Sequence, residues 1–131
     1  MKALASLFAI LLIAGCGSQP AAPAAPKAGI PASSDVSFAK DIQPIFSQTC
    51  MPCHTGGKDA KGSYDLTCYP GTMDNGSDST PNVIPGNADS STLYRLVNGT
   101  VTPQMPKGRP ALNAAQLATI KKWIDQGAKN D

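Results

Sequence analysis

One run constrains this chain more than any other: Cys50, Met51, Pro52, Cys53 and His54, in that order. On a single helical turn, residues at i, i+3 and i+4 share a face, so both thiols and the imidazole can address one object. Three objects suit such a face. A haem takes two thioethers through its vinyl groups while the adjacent imidazole coordinates iron, which is the c-type attachment pattern. A zinc ion could draw on Cys50, Cys53, His54 and Cys68, although structural zinc sites usually pair two clusters and space the histidine away from the cysteines. A redox-active disulfide of the thioredoxin type wants a strand–helix–strand context, and this chain shows no β-pattern of useful length. Haem also answers a problem of composition. The chain has 131 residues and only 5% aromatics, and so small a domain struggles to build a core from side chains alone. A large apolar cofactor at the centre supplies what is missing.

The N-terminus places the domain outside the cytoplasm. Lys2 precedes an apolar run over residues 3–14. That run is too short for the ~20 residues that span a bilayer, and it suits the core of a secretory signal. It ends in Ile13, Ala14, Gly15 and Cys16, small residues before a cysteine as in a bacterial lipobox. Residues 1–15 therefore read as a lipoprotein signal peptide. Cys16 reads as the lipidated mature N-terminus, on the periplasmic or outer face of a bacterial membrane. Residues 16–36 alternate Pro and Ala with almost no apolar bulk and read as a semi-extended tether. The folded domain spans residues 37–131. Export matters to the cysteine motif, because c-type haem is attached outside the cytoplasm. The formal net charge of +2 does not point to nucleic acid.

Within the domain the pattern is helical. Ser37 is a candidate N-cap, and Phe38, Ile42, Ile45 and Phe46 recur at helical spacing. Pro44 removes a donor and crowds the preceding turn, so the helix is expected to end or kink there before feeding the cysteine motif. Pro52 fits if that motif begins a helix. Residues 55–85 are rich in Gly, Asp, Asn, Ser and Thr and read as a loop, with turns at Pro70-Gly71 and Asn75-Gly76. A short helix follows, capped by Asp89 or Ser90, with Leu93, Leu96 and Val97 as its apolar face and Asn98-Gly99 as its end. The last helix is the best formed. Asn113 and Gln116 have the spacing of a capping box, and Leu112 and Leu117 that of a hydrophobic staple. Leu117, Ile120 and Ile124 share a face with Trp123 beside them, and Gly127 stops it.

If the occupant is haem, its far side can be read by elimination. His54 is the single histidine, so a second imidazole from this chain is impossible. Met1 goes with the signal, and Met51 lies inside the attachment turn. Met73 and Met105 remain. Met73 sits in a polar stretch, whereas Met105 lies between Pro103 and Pro106, which restrict its backbone. Met105 is the expected distal ligand, with Met73 or an open position as the alternatives. A thioether raises the potential relative to a second imidazole, and a filled sixth position suits electrons better than substrates. The chain also lacks Glu altogether, which leaves few candidates for a distal acid or base. Cys68 has no partner left if Cys16 is lipidated and Cys50 and Cys53 hold haem, and it reads as a small buried residue.

Three blocks, at residues 38–54, 83–99 and 103–128, together resemble the planctomycete-type cytochrome c domain, a relative of class I cytochromes c. The resemblance covers about residues 38–128. It implies an all-α, cytochrome c-like fold of three to four short helices, with long loops wrapped around one covalent haem c. It implies Cys50 and Cys53 as the thioether positions, His54 as proximal iron ligand and Met105 as distal ligand. It also implies that the first and last helices pack together, Phe38, Ile42 and Phe46 meeting Leu117, Ile120 and Trp123. Members often carry Met-Pro-Pro, whereas this chain has Met105, Pro106 and Lys107, which keeps the ligand and alters the charge beside it. The implied role is a non-enzymatic, membrane-tethered monohaem carrier of single electrons between redox protein partners, without a small-molecule substrate. The alternative is a haem enzyme subunit or gas sensor with an open sixth site. Lys107, Arg109, Lys121 and Lys122 are candidates for steering an acidic partner or holding the haem propionates.

Overall fold

The computed structural model describes residues 35–51, 53–77 and 80–131. The signal segment, Cys16, nearly all of the tether, and Pro52 lie outside the described residues. Among the described residues there is no strand, and four α-helices carry the architecture: α1 (Gln43–Thr49), α2 (Tyr69–Met73), α3 (Thr92–Val97) and α4 (Ala114–Asp125). No described helix is long and apolar enough to cross a membrane.

Pro44 does not end the first helix. A π-turn, Phe38–Ile42, precedes α1, and the Gln43 amide reaches back to the Phe38 carbonyl. Pro44 falls in the first turn of α1, where a missing N–H costs least. Ser37 caps this segment as the sequence implies, its hydroxyl accepting from the Lys40 amide at 3.3 Å. Asp131 adds to the cap from the far end of the domain. Its side chain accepts from the Phe38 amide at 3.0 Å and its main-chain oxygen from the Ala39 amide at 3.0 Å. A carboxylate at a helix N-terminus is also favoured by the helix dipole.

Helix α4 forms as its spacing predicts. Asn113 accepts from the Gln116 amide and the Gln116 side chain accepts from the Asn113 amide, closing the capping box. At the other end the Ala128 amide bonds to the Trp123 carbonyl and the Gly127 amide to the Ile124 carbonyl. Gly127 has φ +104° there, a left-handed stop that glycine adopts without a Cβ clash. Ile120, Trp123 and Ile124 are fully buried. They join Phe38, Ile42 and Phe46 in one apolar cluster, with Leu117 packed at its margin. Phe38 meets the Trp123 ring at 5.5 Å between centroids and the Tyr69 ring edge-on at 5.3 Å. The first and last helices thus form the frame.

Helix α3 closes that frame, with caps that differ from the expected ones. Asn87, not Asp89 or Ser90, accepts from the Ser90 amide and opens a short 3-10 turn, Ala88–Ser90. Ser91 then occupies the N-cap position of α3. It is buried, and its hydroxyl donates to the Asn87 carbonyl at 2.8 Å while accepting from the Ile84 amide. Asp89 is instead drawn outward to Lys121. Residues 55–85 are also less loose than their composition implies. They hold two further 3-10 turns, Gly57–Asp59 and Lys61–Ser63, and α2. Pro70-Gly71 begins α2 rather than making a turn, because Pro70 sits in the first helical turn and Gly71 has no Cβ to collide with the Asp65 carbonyl oxygen. Gly76, at φ +60°, makes the expected turn after Asn75.

Candidate functional site

The cysteine motif follows a helix rather than beginning one. Cys50 is the C-cap of α1, and the His54 amide bonds to the Cys50 carbonyl at 3.3 Å, which closes a single turn over the motif. Cys50 is half-buried and Cys53 exposed, and both are free thiols. Burial pushes the Cys50 thiol up, while the Thr49 hydroxyl, 3.4 Å from its sulfur, and the charge of Arg109 pull it down. Cys68 is half-buried at the head of α2. The expectation that it stands without a partner is not met. Among the described residues no three His, Cys, Asp or Glu side chains gather as a metal cluster, so the four-ligand zinc arrangement does not form.

The imidazole of His54 is oriented by its own loop. Its Nδ1 lies 3.1 Å from the Tyr64 carbonyl oxygen. A carbonyl only accepts, so Nδ1 carries the proton and Nε2 keeps its lone pair for a metal. Such a bond on the far nitrogen is the usual way a protein fixes the ring of a metal-binding histidine. The Tyr64 ring stands edge-on to the imidazole, 6.0 Å between centroids. The main chain is tied as well: the Leu66 amide donates to the His54 carbonyl at 2.9 Å and the Lys61 amide to the Cys53 carbonyl at 3.0 Å.

Asp65 makes this loop rigid, and sequence reasoning passed over it. It is only 6% exposed. One carboxylate oxygen accepts from the Gly57 amide at 2.6 Å. The other accepts from the Thr67 amide at 2.8 Å and the Thr67 hydroxyl at 2.6 Å. Desolvation alone would raise its pKa, but the Thr67 and Gly57 hydrogen bonds outweigh it and hold the carboxyl below its usual range. The Asp-Leu-Thr run at residues 65–67 was the available signal, since Asp commonly accepts from the amide two residues on. Tyr64 is buried, and its hydroxyl donates to the Thr72 carbonyl at 2.7 Å. Burial first, then the proximity of Cys50 and Asp74, raises the Tyr64 pKa. Gln43 of α1 reaches the Leu66 carbonyl at 3.0 Å, which ties the loop to the helical frame.

The two candidate methionines differ in surroundings. Both are half-buried against the core cluster. Met73 ends α2. Met105 borders a cavity of about 560 Å3 together with Ile84, Leu96, Val101, Pro103 and Arg95. That volume is within the span of small-molecule and cofactor sites, about 300–1,000 Å3. The cysteines and His54 do not line it. The Met105 amide donates to the Leu96 carbonyl at 3.0 Å, so the loop starts from the end of α3. Arg95 on the cavity wall is another residue missed at first, because in sequence it looks like a surface position on a helix.

The cations offered for steering divide. Lys121 is drawn into pairs with Asp125 at 3.1 Å and Asp89 at 3.2 Å, and lies 5.6 Å from the centre of the Tyr94 ring. The Asp125 bond first, then that to Asp89, raises its pKa. Arg109 is exposed and donates to the Met51 carbonyl, with the Gln48 carbonyl 3.5 Å away. Lys107 is exposed.

The donor set fits a c-type haem: two free thiols and an imidazole on one turn, the imidazole protonated at the nitrogen away from the metal. Residues 50–108 match the family described as Planctomycete cytochrome C. The stretch runs from the first cysteine of the motif to just beyond Met105. No curated protein and no solved structure matches the chain.

Proposed function

We propose that the chain, as a planctomycete-type cytochrome c domain, is a membrane-tethered monohaem carrier of single electrons whose iron is held between His54 and Met105. The family implies covalently bound haem c. Cys50 and Cys53 would hold it through thioethers and His54 Nε2 would face the iron. Haem c supplies an iron that gains or loses one electron. The chain supplies the rest. The Tyr64 carbonyl holds the imidazole in one tautomer and orientation. Asp65 stiffens the loop that presents that carbonyl. Met105 would supply the second protein ligand and would keep water and small ligands off the iron.

The observation that carries this reading is the 3.1 Å bond from His54 Nδ1 to the Tyr64 carbonyl. It prepares one histidine for a metal at Nε2 in a chain whose remaining candidate ligands are methionines. Thioether ligation raises the potential, which suits exchange with protein partners rather than oxygen chemistry. Lys107, exposed two residues beyond Met105, would be available to an acidic partner. The lipid on Cys16 would keep the domain at the periplasmic or outer face of a bacterial membrane.

The test is spectroscopic. Holoprotein made with its haem-attachment machinery should keep its haem through acid-acetone extraction. It should show a low-spin ferric spectrum with the weak methionine-to-iron charge-transfer band. Met105→Ala should lose that band and Met73→Ala should keep it. Fast binding of carbon monoxide to the ferrous wild-type protein would sink the closed-site reading. Cys16→Ser should release the domain from the membrane fraction.

A further inference from the structure

Arg109 lies four residues beyond Met105, and its exposed guanidinium reaches main-chain carbonyls. Nη1 donates to the Met51 carbonyl at 3.2 Å and, at 3.5 Å, approaches the Gln48 carbonyl. Gln48 is in the last turn of α1, where carbonyls have no intrahelical partner and a cation is favoured. Met51 lies between the two cysteines of the attachment turn. The bond therefore crosses from the methionine loop to the motif itself, over a separation of 58 residues.

The loop between these points is short and shaped. The Arg109 amide returns to the Pro106 carbonyl at 3.4 Å, and Gly108 takes φ +73°, a conformation that favours glycine at this place in a turn. Upstream, the Met105 amide is fixed to the Leu96 carbonyl. Met105 is thus strung between two anchors, one at the end of α3 and one at the end of α1. Where the loop meets α1, Pro106, Arg109 and Pro110 line a cleft of about 350 Å3 with Gln48 and Thr49. The guanidinium is a polar tie across that seam.

We propose that Arg109 is a positioning residue: its guanidinium latches the Met105 loop to the haem-attachment turn and thereby holds the sixth iron position closed. This rests on the reading of Met105 as distal ligand. Arginine suits the task because its Nη1 carries two N–H bonds held in the guanidinium plane, which address the two carbonyls from one nitrogen. The bond is exposed, so water competes with it, and its loss should loosen the loop without unfolding the domain.

The test compares wild-type, Arg109→Gln and Arg109→Lys holoproteins by three readouts. In Arg109→Gln, covalent haem content should match the wild type, ferrous carbon monoxide binding should quicken about tenfold, and the charge-transfer band should disappear at a lower pH on alkaline titration. Arg109→Lys should fall between the two. Amide hydrogen exchange should quicken over residues 104–110 in Arg109→Gln and stay unchanged in α4. An Arg109→Gln protein with wild-type exchange over 104–110 and wild-type carbon monoxide binding would overturn the latch. If the wild type lacks the charge-transfer band, the Met105 reading fails by itself. Exchange over 104–110 still decides whether Arg109 holds the loop.

Discussion

The turn that carries His54 and the loop that carries Met105 are held by different kinds of contact. Around His54 the partners are close in sequence. Tyr64 is ten residues away, and Asp65 binds Gly57 and Thr67 at separations of eight and two. The loop makes its own scaffold from a buried carboxylate, two carbonyls and a few amides. Around Met105 the ties are fewer and reach farther, to Leu96 on one side and across 58 residues to Met51 on the other. A locally bonded loop keeps its shape if a distant helix shifts, whereas a remotely tied loop keeps its shape only while α1 and α3 stay in register. On the proposed reading, the His54 turn is a fixed seat and the Met105 loop a closure.

Both sides rest on the same frame, and the largest effect should come from breaking it. Trp123 is fully buried, stacks near Phe38 and donates to the Lys129 carbonyl at 3.0 Å. Trp123→Ala should cost about 3–5 kcal/mol in denaturant unfolding. Hydrogen exchange should then quicken on both sides of the site, erasing the contrast between them.

Asp65→Asn attacks the seat alone. The amide group must face the Gly57 N–H with a donor of its own or give up a Thr67 bond, at a cost of about 2 kcal/mol. The sign of its pH dependence follows from the lowered carboxyl. The folded-state pKa lies below the unfolded value of about 3.9. The unfolded state therefore binds more protons in that window, and the stabilisation is full above it and lost as pH falls through the folded pKa. Acid unfolding curves of wild type and Asp65→Asn should converge toward low pH. Curves that stay parallel would show that Asp65 carries no such linkage.

Tyr64→Phe separates the two functions of that residue. The His54 bond uses the Tyr64 carbonyl and should survive, while the buried hydroxyl bond to Thr72 is lost, at about 1 kcal/mol. Unfolding midpoints should drop with the haem spectrum unchanged. A changed spectrum would mean the ring, and not only the carbonyl, sets the imidazole. The smallest effect belongs to Asn113→Ala, which removes the cap of α4 at about 1 kcal/mol or less. It should leave exchange at the His54 and Met105 loops as in the wild type.

The elements legible in the sequence are those governed by short-range rules. The capping box at Asn113, the apolar face through Ile120 and Ile124, the glycine stop at residue 127 and the helix over Thr92–Val97 all follow from spacing within a turn or two. The misread elements have distant causes. Pro44 continues its helix because a π-turn precedes it and Asp131, from the other end of the domain, helps cap that turn. Pro70-Gly71 lies within α2, with Asp65 packed where a side chain at Gly71 would stand. Cys68, expected alone, is not without a partner. Arg109 and Lys121 were both candidates for steering a partner, yet one bonds main-chain carbonyls and the other pairs with two aspartates.

By itself the sequence determined the chemistry on offer: two thiols and one imidazole within five residues, a single histidine, and two candidate methionines. Residue identity and spacing are enough for that, because the attachment turn is a local structure. Only the tertiary structure decided how the imidazole is aimed, which carboxylate stiffens its seat, and what ties the Met105 loop to the far helix. Those are hydrogen bonds between groups that meet only when α1, α3 and α4 close on one core, and no local pattern encodes such a meeting.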